Sequence, residues 1–219
     1  AIVPSTNPTS TVIYKAIIAL KGGNAIVFSP HPGAKACTVE AARLMAQAAE
    51  EAGCPKGAIG CITMPTMDAV QELMRHQNTA RILATGGSAM VKAAYASGTP
   101  AIGVGAGNGP AYLHPSCDLR QAVADIVRSK TFDNGTVCAS EQSVIVHRSM
   151  AKEAEAELVR QGGCILSEEE SKRLAAKLFR ENGTMNPKLV GRTASQIAKL
   201  ANLGEDAQKA RVLLARETD

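Results

Sequence analysis

The sequence predicts an α/β fold: a parallel, Rossmann-type sheet with helices on both faces, followed by part of a second α/β domain. Three observations predict it. Short apolar runs alternate with longer segments of helical period through the first half of the chain. Gly- or Pro-bearing turns punctuate the alternation, closing helices and redirecting strands. The 219 residues are 45% hydrophobic, enough for a sizeable core, but aromatics make up only 3%, so Ala, Val, Ile, Leu and Met must fill it.

In chain order, residues 1–3 read as a strand end broken by Pro4. Residues 9–20 form a helical period with Val12, Ala16, Ile17 and Leu20 on one face, closed by Gly22 and Gly23. A strand over 25–28 leads into the turn Ser-Pro-His-Pro-Gly. The helix over 35–52 turns Val39, Ala42, Met45, Ala46 and Ala49 inward and ends at Gly53. Strands over 59–63, 82–85 and 101–104 then alternate with helices over 67–76 and 89–96. Such regularity argues for parallel strands covered on both sides. After Pro110 the rhythm changes. A turn and cap at 115–118 starts a helix over 119–129, and residues 142–147 (Q-S-V-I-V-H) read as a buried strand. Helices follow over 150–161, 168–181 and 194–203, separated by Gly162-Gly163 and Asn182-Gly183, and a last strand occupies 211–214. The domain boundary falls near 110–115, dividing the chain into 1–112 and 113–219.

Charge and composition exclude several functions. A net charge of +4, without a basic stripe, disfavours nucleic acid as a partner. Cys37, Cys54, Cys61, Cys117, Cys138 and Cys164 are dispersed, with no C-x-x-C pair. In a chain of this size they read as reduced thiols in a cytoplasmic setting. The four histidines show no metal-ligand spacing, so no metal site is expected. There is no signal peptide, and no apolar run reaches the roughly 18 residues that span a bilayer.

Two stretches point to chemistry. In residues 130–143, K-T-F-D-N-G-T-V-C-A-S-E-Q-S, the turn signal Asp133-Asn134-Gly135 bends the backbone just before Cys138, and a strand follows. A thiol at such a loop edge is either a nucleophile held by a rigid scaffold or a small buried hydrophobe. Thr85-Gly86-Gly87-Ser88 follows a strand and opens a helix, where backbone N–H groups and the helix dipole receive phosphate. A tight βα turn explains the same glycines. The G-x-G-x-x-G dinucleotide fingerprint is absent after the first strand, and the alternating Gly103, Gly105, Gly107 and Gly109 do not replace it.

The stretch K-T-F-D-N-G-x-x-C-A-S-E-Q resembles the active-site segment of the coenzyme A-acylating aldehyde dehydrogenases. I-V-P-S-T-N-P-T-S-T at the start, F-S-P-H-P-G-A-K at Phe28, I-L-A-T-G-G at Ile82 and G-V-G-A-G-N-G-P at Gly103 match in the same order, and the resemblance runs to about Ala215. With no initiator Met and an end before the rest of the catalytic domain, the chain reads as a middle fragment.

The resemblance implies that 1–112 is a dinucleotide-binding domain and 113–219 part of a catalytic domain. Cys138 becomes the nucleophile, and its thioester splits one hard step into two. The oxyanion donors become the Cys138 N–H and Asn7, with Thr6 aligning where the family carries its Asn. Ser29, Pro30 and His31 lie along the adenosine side of the cofactor, although His31 also reads as a solvated turn residue. Ser29 stands where the family commonly has a ribose-holding Lys, which leaves NAD against NADP open. Thr85, Gly86 and Gly87 border the pyrophosphate and nicotinamide, with Gly105 nearby. Val104 aligns with the Glu that activates hydrolytic water in ordinary members, so the thiol of coenzyme A is expected to take the acyl group. Glu141 is expected to cap or pack the following strand, and Asp133 to form the turn.

The implied reaction converts a short aliphatic aldehyde, NAD(P)⁺ and coenzyme A to acyl-CoA, in a homo-oligomer that some members place inside bacterial microcompartments. Two other readings stand beside it. The parent is a bifunctional aldehyde-alcohol dehydrogenase with an iron-dependent second half, or this chain is a cofactor-binding or assembly fragment without turnover.

Overall fold

The computed structural model describes residues 1–105 and 107–217. They separate into two compact units, Ala1–Ala106 and Gly107–Asp219. The first unit is a five-stranded parallel sheet in the order β3-β2-β1-β4-β5. Its strands are β1 (Ile2–Val3), β2 (Ile26–Pro30), β3 (Ile59–Cys61), β4 (Ile82–Thr85) and β5 (Ala101–Val104). The helices α1 (Pro8–Lys21), α2 (Lys35–Glu51), α3 (Met67–Arg75) and α4 (Ser88–Tyr95) make the crossovers. This is the doubly wound order, reversing direction between β1 and β4.

Neighbouring residues of β1 serve opposite cores, as the period of two requires. Val3 packs with Val12, Ala16, Phe28 and Ala42 under α1 and α2, whereas Ile2 joins Val70, Met74, Ile82 and Ala94 on the side of α3 and α4. The expected α/β class holds. The inward phase of α1 differs from the aliphatic reading: Thr11, Val12, Lys15, Ala16 and Ala19 are buried, while Ile17 is exposed. Choosing the most apolar residues skipped the lysine that shares the periodic face.

The second unit holds two parallel strand pairs. Strands β6 (Gly109–Leu113) and β7 (Glu141–Val146) are joined through α5 (Leu119–Thr131). Asp118 caps α5, its carboxylate accepting from the Gln121 N–H at 3.0 Å, as the sequence signal required. After α6 (Ala151–Arg160), β8 (Gly163–Ile165) pairs with β9 (Val212–Leu214) across α7 (Glu168–Leu178), α8 (Ala194–Leu200) and α9 (Glu205–Lys209). Leu113, Val123, Val127, Ala154 and Leu158 form one core, and Leu166, Leu174, Ala198, Leu203 and Ala207 another.

Five elements here depart from the sequence expectation. β6 opens with Gly-Pro and β8 with the second residue of Gly162-Gly163, so neither reads as a strand, and α9 is too short to show a period. α7 ends at Leu178 because Phe179 turns extended and bridges Met185 around Gly183 (φ 74). Asn202, left-handed at φ 51, stops α8.

Gly163 is required by close approach rather than by its own backbone. A Cβ there would lie 2.9 Å from both the Leu158 carbonyl oxygen and Leu214 Cδ1, and that carbonyl belongs to a packed helix that cannot give way. Gly163→Ala is therefore expected to lower stability by about 1–3 kcal/mol, read as a lower midpoint in urea unfolding with unchanged slope.

Candidate active site

In a parallel sheet all carboxyl ends share one edge, and a doubly wound sheet receives its ligand there, at the point where strand order reverses. β1 and β4 flank that point in the first unit. The turn after β1 carries Thr6 and Asn7. Thr6 Oγ1 donates to Asn7 Oδ1 at 3.2 Å, and the Asn7 carbonyl accepts from the Thr11 hydroxyl at 2.8 Å, anchoring this turn to the start of α1. The turn after β4 carries Gly86 and Gly87, with Gly87 capping α4 without a side-chain bond. Gly105 follows β5 at the same edge.

The backbone at these glycines is open on two counts. Neither Gly86 nor Gly87 has positive φ, and a Cβ at Gly87 would meet nothing within 4 Å. The bare backbone is therefore not needed by the turn itself. It leaves the first N–H groups of α4 open to close approach by an anion.

The β2 candidates differ among themselves. Ser29 is only 2% exposed within the sheet, beside β1, and Pro30 is also buried. His31 is exposed, with Nδ1 accepting from the Gly33 N–H at 3.0 Å. Val104 ends β5 and is 51% exposed, so an isopropyl group stands at this edge, at the position the resemblance aligns with a Glu.

Sequence reasoning missed Lys15. Its side chain runs from α1 to the sheet, and Nζ donates to the carbonyls of Ile2 at 2.9 Å and Leu83 at 3.0 Å, one from each strand flanking the reversal point. It is 2% exposed, and burial lowers its pKa from 10.5 to about 8. The available signal was its spacing, three and four residues from the inward Val12, Thr11 and Ala19.

In the second unit, Cys138 is exposed at a turn closed by the Ser140 N–H donating to the Val137 carbonyl at 3.1 Å. Before it, Asp133 (φ 48), Asn134 (φ 50) and Gly135 (φ 72) are consecutively left-handed, a conformation that Asn, Asp and Gly tolerate best. Side chains hold the bend. Thr136 Oγ1 donates to the Asp133 carbonyl at 3.0 Å and to its carboxylate, and Asn134 Nδ2 donates to Gly191 O at 2.9 Å. Asp133 is thus a turn former.

A cavity of about 480 Å³ adjoins this turn; Ile126, Phe132, Val137 and Ala139 give it apolar walls, and Asp125, Arg128, Ser129 and Glu141 polar ones. The neighbours of Cys138 line it. Glu141 opens β7, and its Oε2 is buried without a hydrogen-bond partner among the described residues. Among the described residues no three His, Cys, Asp or Glu side chains converge as a metal site, and no helix is long and apolar enough to cross a membrane.

The first unit is thus a doubly wound sheet with an open glycine turn, and the second presents an exposed thiol on a side-chain-braced bend. Residues 1–164 match the aldehyde dehydrogenase family, and the chain belongs to that family. It is similar to an acetylating aldehyde dehydrogenase from Geobacillus thermoglucosidasius, at 54% identity and a TM-score of 0.93, over 100% of this chain and 48% of that one. It is 50% identical to the bifunctional aldehyde-alcohol dehydrogenase AdhE of Escherichia coli (strain K12) across 91% of this chain and 22% of the relative. A propionaldehyde dehydrogenase of Rhodopseudomonas palustris, crystallised with bound CoA and an acylated cysteine, superposes with a TM-score of 0.89 at 29% identity, over 99% of this chain and 49% of that one. The chain thus spans about half the length of the solved relatives and under a quarter of the bifunctional one.

Proposed function

We propose that the protein to which this chain belongs oxidises a short aliphatic aldehyde to acyl-CoA, using a nicotinamide dinucleotide and coenzyme A, through a thioester on Cys138. The observation that carries it is the exposed Cys138 on a side-chain-braced turn beside a cavity lined by its neighbours Val137 and Ala139. Residues 1–112 serve as the dinucleotide-binding domain, with Thr85, Gly86, Gly87 and Gly105 along the pyrophosphate and nicotinamide and Ser29, Pro30 and His31 toward the adenosine. Residues 113–219 form part of the catalytic domain.

The Cys138 thiolate adds to the aldehyde carbonyl, and the oxygen gathers negative charge. The Cys138 N–H and the Asn7 amide, with Thr6 beside it, are the donors assigned to that charge; losing one such donor costs about a hundredfold or more in rate. The bound dinucleotide supplies a hydride acceptor. With hydride gone the carbonyl re-forms as the Cys138 thioester. The CoA thiolate then adds to the thioester carbonyl, and the C–S bond to Cys138 breaks, returning the thiolate. Val104 supports transfer to CoA over hydrolysis, since an isopropyl group cannot take a proton from water. The likeness to relatives described as acetylating, or as binding CoA, supports the same choice.

The test is NAD(P)H formation from acetaldehyde or propionaldehyde with and without CoA. Formation that requires CoA, with acyl-CoA as product, is expected. Equal rates without CoA, releasing the free acid, would overturn the acylating assignment. A second arrangement, in which the parent also carries an alcohol dehydrogenase half, rests on the 50% identity to AdhE, below the 54% to the acetylating enzyme of Geobacillus thermoglucosidasius. Iron-dependent reduction of the same aldehyde to its alcohol by the parent protein would establish it.

A further inference from the structure

The turn that carries Cys138 is braced from beneath by a residue to which the proposed chemistry gives no role. Lys130 lies in the last turn of α5, where a lysine ordinarily reaches solvent. Here it folds back over the turn: a Cβ built on Gly135 would stand 3.5 Å from Lys130 Cε and 3.6 Å from its Nζ. Nζ donates to Gln142 Oε1 at 3.1 Å. Gln142 Nε2 in turn donates to the Ser140 carbonyl at 3.1 Å and to Ser140 Oγ at 3.3 Å. Ser140, only 2% exposed, passes its hydroxyl hydrogen to the Val137 carbonyl at 3.0 Å. The chain of donors starts before the thiol, at the end of α5, and finishes on both sides of it.

The direction of this chain is fixed by what each group can do. An ammonium has no acceptor, so Gln142 must turn its oxygen to Lys130 and its NH₂ to Ser140. Without Lys130 the Gln142 oxygen loses its donor, and the amide is held from the Ser140 side alone. The ammonium is half-buried, and burial lowers its pKa while the neighbouring Glu141 charge raises it. The partnerless Glu141 oxygen is thus a counter-charge within electrostatic reach.

We infer that Lys130 is a positioning residue for the Cys138 thiol, acting through Gln142 and Ser140 to hold the turn in its reactive geometry. The inference rests on the reading of Cys138 as the nucleophile. Small displacements of a reacting atom cost one or two orders of magnitude in rate, so a loosened turn shows itself in thiol reactivity before it shows in stability.

The experiment is alkylation of the folded chain by limiting iodoacetamide, with the rate at each cysteine followed by peptide mass spectrometry. Cys37, the other exposed thiol, is the internal reference, and the half-buried Cys117 and Cys164 report opening of the second unit. In the wild type Cys138 reacts faster than Cys37. In Lys130→Met the Cys138 rate falls about threefold to tenfold, the other three rates hold, and Lys130→Arg restores most of the loss. Gln142→Leu reproduces the fall, and the double variant adds nothing further, as members of one network do.

A fast Cys138 that stays within about twofold of wild type in Lys130→Met overturns the inference alone. Equal wild-type rates at Cys138 and Cys37 overturn the nucleophile reading and the inference with it. Should Cys117 and Cys164 accelerate in Lys130→Met, the variant has opened the unit, and Gln142→Leu decides by the same criterion.

Discussion

Cys138→Ala in the parent enzyme is expected to reduce CoA-dependent NAD(P)H formation by about four orders of magnitude or more, leaving only what binding and the oxyanion donors supply. Alanine removes the sulfur but none of the turn's hydrogen bonds, which run through Asp133, Asn134, Thr136 and Ser140. The fold is therefore preserved, and cofactor binding, assigned to the other unit, is untouched. Two measurements check this. Dinucleotide affinity, by fluorescence titration, should match the wild type. A single turnover with radiolabelled aldehyde should leave no acyl group on the variant, where the wild type without CoA accumulates one. A variant that retained even about 1% of the rate would remove Cys138 from the mechanism.

The second large effect concerns stability against pH, and it belongs to Lys15. Its pKa falls from 10.5 to about 8 on folding because burial penalises the charge. Between those values the unfolded chain holds a proton that the folded chain has released. Unfolding then takes up a proton, so stability rises as pH rises through that window. A shift of that size corresponds to about 3 kcal/mol, gained between roughly pH 8 and 10.5. The geometry suits the neutral amine, whose two hydrogens match two acceptors, the carbonyls of Ile2 and Leu83. Cys61, pushed up by burial, contributes in the opposite direction, and comparison with Lys15→Met cancels it. The unfolding free energy of wild type minus variant should rise by about 3 kcal/mol from pH 7.5 to 10.5. A flat difference would mean that Lys15 is solvated in the folded chain.

How much of this was legible in the sequence varies with the physics. β2, β4 and β5 are short apolar runs between strong turn signals, so the first sheet could be read directly. β6 could not, because Gly-Pro-Ala-Tyr-Leu opens with two residues that usually end strands, and only pairing with β7 makes it one. At the site, Asp133-Asn134-Gly135 announced a bend, and the structure shows all three left-handed. Lys15 was hidden because a lysine among aliphatics reads as surface, and its acceptors, Ile2 and Leu83, come from distant parts of the chain. Lys130 and Gln142 stood within the quoted motif, but nothing local says that a lysine at a helix end turns inward rather than out. Local signals marked the bend, and only tertiary contacts show what holds it still.

The parallel order of the first sheet also bears on how the protein is made. β1 pairs with β2 on one side, but its other edge, at Ile2, must wait for Ala84, more than eighty residues downstream. At ribosomal speed that wait is on the order of ten seconds. Throughout it, an apolar strand edge lies open to any other extended chain nearby, including a second nascent copy. The central strand thus stays open on one side until β4 is made, which makes this chain a natural client for whatever shields unpaired strands during synthesis.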